Sequence, residues 1–351
     1  MHQGAGRGAD NREPEGDGRL VQCAVPRAGP CVTVRVPAKV NLFLSILGRR
    51  SDGYHELVTV LQSVTLFDRM RFTITGPPGQ GQHPAARRRM RVCLTHDGGP
   101  DVPTDKDNLA IRAAWALGHV TKVLDLALVE EASHAGEFSR APVTVIQLQK
   151  RIPVGGGLAG GSADAAAALV GLNELWGCYL SRDSLKAIGS TLGSDVPFCC
   201  VGGTAIGTGR GTRLSRAICR GVYWWVICQA HEPLSTAAVY QAWDRECTPT
   251  EKNPRLVLAA LAAHDPRALG AALSNDLEPA AFSLRPELAE AKTLLVDEGA
   301  LGAVLSGSGP TLLALCESQQ AARVLACAVA GRFQAVEVAC SPAGGPEAIL
   351  C

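Results

Sequence analysis

The sequence has no C-x-x-C pair, no apolar run approaching the ~18 residues that a membrane span needs, and a formal charge of only +1. Each absence removes a class of function. Near-zero net charge gives no electrostatic footprint for a polyanion, so nucleic acid is not expected as a partner. With no apolar span, and an N-terminus lacking the hydrophobic core of a signal peptide, no membrane partner is expected and the chain reads as cytoplasmic. The thirteen cysteines, scattered from Cys23 to Cys351, are odd in number. That pattern fits reduced, mostly buried thiols and not a disulfide framework. Cys199 and Cys200 follow Phe198 and are expected in a core strand, the alternative being a redox pair. The eight histidines show no metal-ligand spacing, so no metal ligands are named, and no oligomeric state follows from the pattern.

At 351 residues, with 46% hydrophobic content and 38 glycines, the chain is long enough for two cores and rich in close backbone approaches. Two domains are expected. Residues 1–31 are glycine-rich with little apolar periodicity and read as a disordered extension. From Val32, "VTVRVPAKVNLFLSILG" alternates and is rich in β-branched residues, which predicts two strands interrupted at Pro37. "LVTVLQSVTLFDRMRFTIT" and "APVTVIQLQKRIPV" also read as strands, and "NLAIRAAWALGHVTKVL" has helical spacing. Between them, Gly76 to Arg91 holds three prolines and the run Arg87, Arg88, Arg89. It reads as a solvated hairpin extension, with an anion site as the alternative. "SADAAAALVGLNELWG" predicts a helix ending near Gly177, and "SRDSLKAIGSTLG" another capped by Ser181. Short strands, further helices and the strand–turn–strand "ALGAVLSGSGPTLLALCE" follow. The boundary is expected between Gly202 and Gly221, giving domains of residues 32–205 and 206–351.

The most informative stretch is "PVGGGLAGGSADA", residues 153–165. Gly155, Gly157 and Gly160 satisfy G-x-G-x-x-G, but a dinucleotide fold needs a strand ending in an acidic residue about 20 positions on. Here that position falls in "LSRDSLK", the start of a helix. A P-loop needs a Lys after the glycines, and none follows. What survives is the physics common to both motifs. Small residues let N–H groups converge, and the helix beginning near Ser162 turns its positive end toward them, so a phosphate is the expected occupant. Tight helix packing, suggested by Ala165 to Ala168, is the alternative. "LSGSGPT", Leu305 to Thr311, repeats the logic more weakly, with Gly307 and Gly309 for close approach and Ser306, Ser308 and Thr311 for hydroxyls. A plain strand connection would also explain it.

"PVGGGLAGGSADAAAAL" resembles the phosphate-binding motif of the GHMP small-molecule kinases, a family named for galactokinase, homoserine, mevalonate and phosphomevalonate kinases, and "VLSGSGPT" resembles their third motif. "VPAKVNLFLSILGRRSDGYHEL" is similar to the corresponding stretch in the branch that phosphorylates a cytidyl alcohol; "TLGSDVPF" and "SNDLEP" match as well. The resemblance runs from Val32 to about Cys340. It departs at Ala159, where many members carry glycine, and at Ala163 and Asp164, which replace a common Ser-Asn pair. It implies an α+β two-domain fold, a ribosomal-protein-like α/β domain followed by a ferredoxin-like α+β domain, with both substrates meeting in the cleft between. The implied reaction moves the γ-phosphoryl of ATP, with Mg²⁺, to the 2-hydroxyl of a methylerythritol moiety carried on cytidine diphosphate.

Phosphoryl transfer to an alcohol needs a positioned acceptor, charge neutralisation and a group to take the proton. Asp195, in "GSDVPF", matches the family's catalytic base. Lys39, in "PAKVN", sits among apolar residues and needs an anionic partner, which Asp195 would be; a purely structural ion pair is the alternative. Asn41 shares a strand face with Lys39 and is expected near the reacting hydroxyl, unless it caps the strand. By the resemblance Tyr54 stacks on the cytosine, His55 reads its edge and Tyr240 closes its other side; a plain turn at "DGYH" and a core aromatic at Tyr240 are the alternatives. For ATP, Asn108 and Leu109 resemble adenine-pocket residues, with helix capping as the alternative for Asn108. Pro153, Val154, Gly155, Gly156, Gly157, Leu158, Ala159, Gly160, Gly161 and Ser162 form the phosphate loop. Gly307, Ser308 and Gly309 form the third motif.

Overall fold

The computed structural model describes residues 30–76, 88–122, 124–128, 141–250 and 252–350. Residues 1–29 of the expected extension, and most of the proline- and arginine-bearing segment, lie outside the described residues. Strand β1 (Cys31–Arg49) starts the fold. It is one strand and not two: its pairing with β2 (His55–Thr75) slips between Pro37 and Ala38 and again between Asn41 and Phe43. Proline lacks an N–H but is tolerated at such irregularities, so Pro37 kinks the ladder without ending it.

The second slip has consequences for the site. One extra residue, Leu42, re-aims the side chains that follow. Val40 and Leu42 pack into the core beneath the helices, while Leu44 and Ile46 join the core of the second domain. Every residue from Val36 to Ile46 is buried for that reason. A strand covered on both faces by two different domains becomes a wall of their junction.

After β2 come β3 (Arg88–His96), β4 (Leu124–Leu128), β5 (Val143–Gln149), β6 (Thr204–Gly209) and β7 (Arg213–Arg216). β3 runs parallel to both β4 and β5, so the segment expected as a hairpin extension leads into a sheet strand. The rest of the chain supplies β8 (Tyr223–Gln229), β9 (Ser274–Asn275), β10 (Gly302–Leu305), β11 (Leu312–Cys316), β12 (Ala335–Ser341) and β13 (Glu347–Leu350). Among the described residues the first sheet is ordered β13-β1-β2-β5-β3-β4, with β6 on β2, β7 on β6 and β9 on β1. The second is ordered β10-β11-β8-β12 and is antiparallel throughout. With helix Thr236–Glu246 after β8 and helix Gln319–Val329 after β11, it has the split β-α-β order of a ferredoxin-like domain.

Three pairings bear on the domain boundary, expected between Gly202 and Gly221. β6 runs through position 205/206 and pairs with β2, the β6–β7 hairpin extends the first sheet, and β13 returns to β1. We therefore propose that residues 206–216 and 347–350 belong with the first domain. Cys199 and Cys200 lie on and after a buried four-residue helix, Val196–Cys199, and not in a strand. An apolar run this short has no periodicity to separate the two, and Pro197 in the first turn favours the helix. Burial pushes both thiols well up, so they stay protonated.

Helix Gly160–Leu175 packs its alanines against the sheet at full burial. A Cβ at Gly171 would lie 2.4 Å from the Phe72 ring, so the helix lies closer to the sheet than a larger residue would allow. The small-residue stripe therefore serves packing as well, and sets the height at which the glycine loop enters the cleft.

Candidate active site

A cavity of about 710 Å³ opens at the junction of the two domains, where β1, the glycine loop, the third motif and helix Thr236–Glu246 converge. That volume suits a nucleotide-sized ligand. Lys39 and Asn41 reach it from β1 just before the Leu42 slip. Lys39 Nζ lies 3.2 Å from Asp195 Oδ2 and donates to Asn41 Oδ1 at 3.0 Å. The Lys39 side chain is only 5% exposed and Asp195 33%, so the ammonium is buried and the carboxylate faces the opening. Asn41 in turn donates to Thr59 Oγ1, which donates to the Phe43 carbonyl at 2.6 Å. The amide is thereby fixed with its oxygen toward Lys39, in a side-chain chain that excludes strand capping.

The glycine loop meets the site at the N-terminus of helix Gly160–Leu175. Its N-cap position is Ala159, at φ 57°, with no side-chain capping bond. The first-turn N–H groups lack a side-chain acceptor of the usual kind, and Ala159, Gly160, Gly161 and Ser162 line the cavity with Gly155, Gly156 and Gly157. Leu158 does not: it is fully buried, and its carbonyl receives the Lys39 N–H at 3.1 Å. Pro153 and Val154 also stand outside the lining.

The third motif touches the first. A Cβ on Gly157 would come within 2.2 Å of the Ser306 carbonyl oxygen, and Ser306 Oγ donates to the Gly157 carbonyl at 3.0 Å. Gly307 and Ser308 line the cavity, whereas Gly309 does not. Ser308 Oγ is within 2.8 Å of Thr236 Oγ1 on the second-domain helix.

At the other end, His55 stacks on Tyr240 at 4.7 Å between centroids, with Trp243 edge-on at 5.6 Å. Its Nε2–H donates to Asp244 Oδ1 at 2.7 Å, since a carboxylate only accepts. Tyr54 is half exposed, with the Arg210 guanidinium 3.7 Å above its ring. Burial, with the charge of Asp195 adding to it, pushes the Tyr240 hydroxyl up to about 12, so the ring is a neutral surface.

The cavity thus brings together Lys39, Asn41, Tyr54, His55, Leu109, Asp195 and Tyr240. Asn108 is not among them. Its Oδ1 accepts from Ala110 N and its Nδ2 donates to the Pro103 carbonyl, so the side chain is a helix cap. Asp244, Arg210, Thr59 and Thr236 were not marked by the sequence. Thr59 meets Asn41 on the neighbouring strand, 18 residues away, and the others have partners far along the chain, His55 and Asp244 being 189 residues apart.

These features, two glycine loops facing an ion pair across a domain junction, define a small-molecule kinase site, and the chain belongs to the GHMP kinases. Residues 108–203 match the family's "GHMP kinases N terminal domain" and residues 257–335 its "GHMP kinases C terminal". The chain is 43% identical over 324 residues to 4-diphosphocytidyl-2-C-methyl-D-erythritol kinase of Nocardia farcinica, covering 91% of this chain and 96% of that one. It is 41% identical over 339 residues to the kinase of the same name from Mycobacterium tuberculosis, covering 95% and 97%. A crystal structure of 4-(cytidine 5'-diphospho)-2C-methyl-D-erythritol kinase superposes with a TM-score of 0.67 at 31% identity, over 89% of this chain and all of that one.

Proposed function

We infer that the chain transfers the γ-phosphoryl of ATP to the 2-hydroxyl of 4-diphosphocytidyl-2-C-methyl-D-erythritol, a step of the non-mevalonate route to isoprenoid precursors. The observation that carries the reading is the Lys39–Asp195 pair, 3.2 Å apart, set between the uncapped glycine-loop helix and the Tyr54, His55, Tyr240 cluster in one cavity.

Asp195, the more exposed partner, takes the hydroxyl proton as the acceptor oxygen bonds to the γ-phosphorus and the bond from that phosphorus to the bridging oxygen breaks, releasing ADP. Lys39 pairs with that carboxylate at 3.2 Å and faces the charge that develops on the transferred group. Asn41, locked by Thr59, orients the acceptor. The loop N–H groups and the positive end of helix Gly160–Leu175 receive the phosphates, with Leu109 beside the adenine. His55, with Nε2–H given to Asp244, keeps Nδ1 as an acceptor while the ring is neutral. An acceptor there suits the amino group of cytosine. Tyr54 and Tyr240 offer the ring faces.

Among the described residues no three His, Cys, Asp or Glu side chains gather to hold a metal ion. The cavity instead fits Mg²⁺ carried on the nucleotide, where the Asp195 carboxylate would face it. Such an ion would supply positive charge against that developing on the phosphates. Among the described residues no helix is long and apolar enough to cross a membrane, and we place the enzyme in the cytoplasm with its ATP.

The test is a coupled ADP-release assay with ATP and Mg²⁺, comparing the cytidyl alcohol with mevalonate and homoserine. Turnover confined to the cytidyl alcohol is expected. Turnover on another alcohol would discard the pyrimidine pocket, and none on any would discard the kinase reading.

A further inference from the structure

Below the phosphate loop lies a buried ionic group that the reaction does not itself use. Lys150 Nζ, on the residue after β5, donates to Asp68 Oδ2 of β2 at 2.6 Å and to Asp164 Oδ2 of helix Gly160–Leu175 at 2.8 Å. All three residues are at least nine-tenths buried. Asp68 is fully satisfied, because its other oxygen accepts the N–H groups of Arg151 and Ile152 at 2.6 and 2.9 Å. Asp164 is not: Oδ1 is buried without a partner.

The positions matter more than the pairing. Lys150, Arg151 and Ile152 lead into the glycine loop, and Asp164 stands one turn after it. Asp68 grips the upstream end, Asp164 the downstream end, and the ammonium joins them. Gly160 permits this, since a Cβ there would lie 2.9 Å from Lys150 Nζ. The ammonium therefore sits one residue beneath a backbone that lines the cavity.

We propose that Asp164 is a positioning residue for ATP: through Lys150 and Asp68 it ties the two ends of the glycine loop together and holds its N–H groups in the arrangement that receives phosphate. The proposal rests on the kinase reading only in taking ATP as the loop's ligand. It carries a second consequence. Two carboxylates share one ammonium, so full ionisation leaves a net negative charge buried under a phosphate site. Burial is the main cause that raises the Asp164 carboxyl to about 7, opposed by Lys150 and reinforced by Asp68. Cys199 on the short helix Val196–Cys199 also feels its charge and is held protonated by burial, and the Asp97 carboxylate accepts the Lys150 N–H at 2.7 Å. A polyanion in the loop disfavours a charged Asp164 further, so ATP binding takes up a proton there.

The experiment is calorimetric binding of a non-hydrolysable ATP analogue with Mg²⁺ at pH 6 to 9, in buffers of different ionisation heat, on the full chain and on Asp164→Asn and Asp164→Ala. Asp164→Ala should weaken the analogue about tenfold while the KM for the cytidyl alcohol stays within twofold. Asp164→Asn, which keeps an acceptor for Lys150, should restore most of the affinity. Near pH 8 the unaltered protein should take up more protons than either variant, the analogue's own titration being common to all three. Unchanged affinity and proton uptake in both variants would overturn the proposal, as would parallel loss of affinity for both substrates. Failure of the protein to use the cytidyl alcohol would instead discard the proposed acceptor, leaving the ATP measurement to judge Asp164 alone.

Discussion

Alanine at Gly157 and at Gly155 should have unequal effects, and the difference measures the contact between the two glycine loops. Both positions hold left-handed backbone, φ 73° and 68°. An L-residue there costs about 1–2 kcal/mol. At Gly155 the cost ends with the dihedral, because no atom lies within 4 Å of the added Cβ. At Gly157 the Cβ meets the Ser306 carbonyl oxygen at 2.2 Å and that of Gly309 at 3.1 Å. Both obstacles are backbone, so residues 306–309 must shift by roughly an ångström, and overpacking of this kind costs about 1–3 kcal/mol more. Since the loops bind as a pair, that excess should appear in ATP affinity as a further ~5- to 100-fold loss, at about 1.4 kcal/mol per decade. Analogue titration of the two variants, with melting curves to confirm folding, reads the difference. Equal affinities would refute a direct contact between the motifs, and Ser306→Ala, which removes only the bond to the Gly157 carbonyl, should fall between them and the unaltered protein.

Asp195→Asn should lower turnover by ~10²-fold or more with cytidyl-alcohol binding nearly kept; near-normal turnover in the ADP-release assay removes Asp195 as the base. Asp244→Asn frees His55 to exchange tautomers, so discrimination between cytidyl and uridyl alcohols should fall about tenfold in kcat/KM ratios, and an unchanged ratio would mean that His55 does not read the base. Tyr240→Ala should weaken the cytidyl alcohol by ~1–3 kcal/mol; a change in ATP KM alone would misplace the pyrimidine. Because the Asp164 carboxyl rises from 3.8 to about 7, the folded state binds more protons than the unfolded across that window, and its contribution to stability is lost as pH rises through it. Asp164→Asn removes that loss, so its stability relative to the unaltered protein should climb between pH 4 and 7, read by urea titration; a flat difference would show Asp164 ionised at low pH.

What could be read from the sequence was what local chemistry decides. Lys39 among apolar neighbours needed an anion, and Asp195 is there. Ser181 looked like a cap and accepts from Ser184 N. Asn108 fitted a cap or a ligand equally, and only its two bonds, to Ala110 and Pro103, settle it. Cys199 was ambiguous because four apolar residues carry no period. The slip at Leu42 had no local mark, since alternation continues through it and only pairing with β2 counts the extra residue. Asp68 and Lys150 are 82 positions apart, each unremarkable in its own stretch of chain. A lysine at a strand end reads as solvated until the helix that covers it is placed.

The same strand explains why so many parts must be correct together. β1 fixes the first glycine loop, because Lys39 N–H is bonded to the Leu158 carbonyl. It fixes the third motif through β9, which pairs with Phe43 and Leu44 and carries Asn275, whose Nδ2 donates to the carbonyls of Leu305 and Gly307. Asp276, next in sequence, accepts from Ser45 Oγ and the Ile46 N–H, and bonds from Lys252 and Thr250 help hold its carboxyl below the usual range despite burial. Both loops and the Lys39–Asp195 pair are therefore measured from one strand. Asn275→Ala should thus loosen Gly307 without touching Lys39, raising ATP KM several-fold while leaving the pH profile of kcat in place. A shift of that profile would mean that the third motif also sets the proton-taking carboxylate, and that the two halves of the site are not separately held.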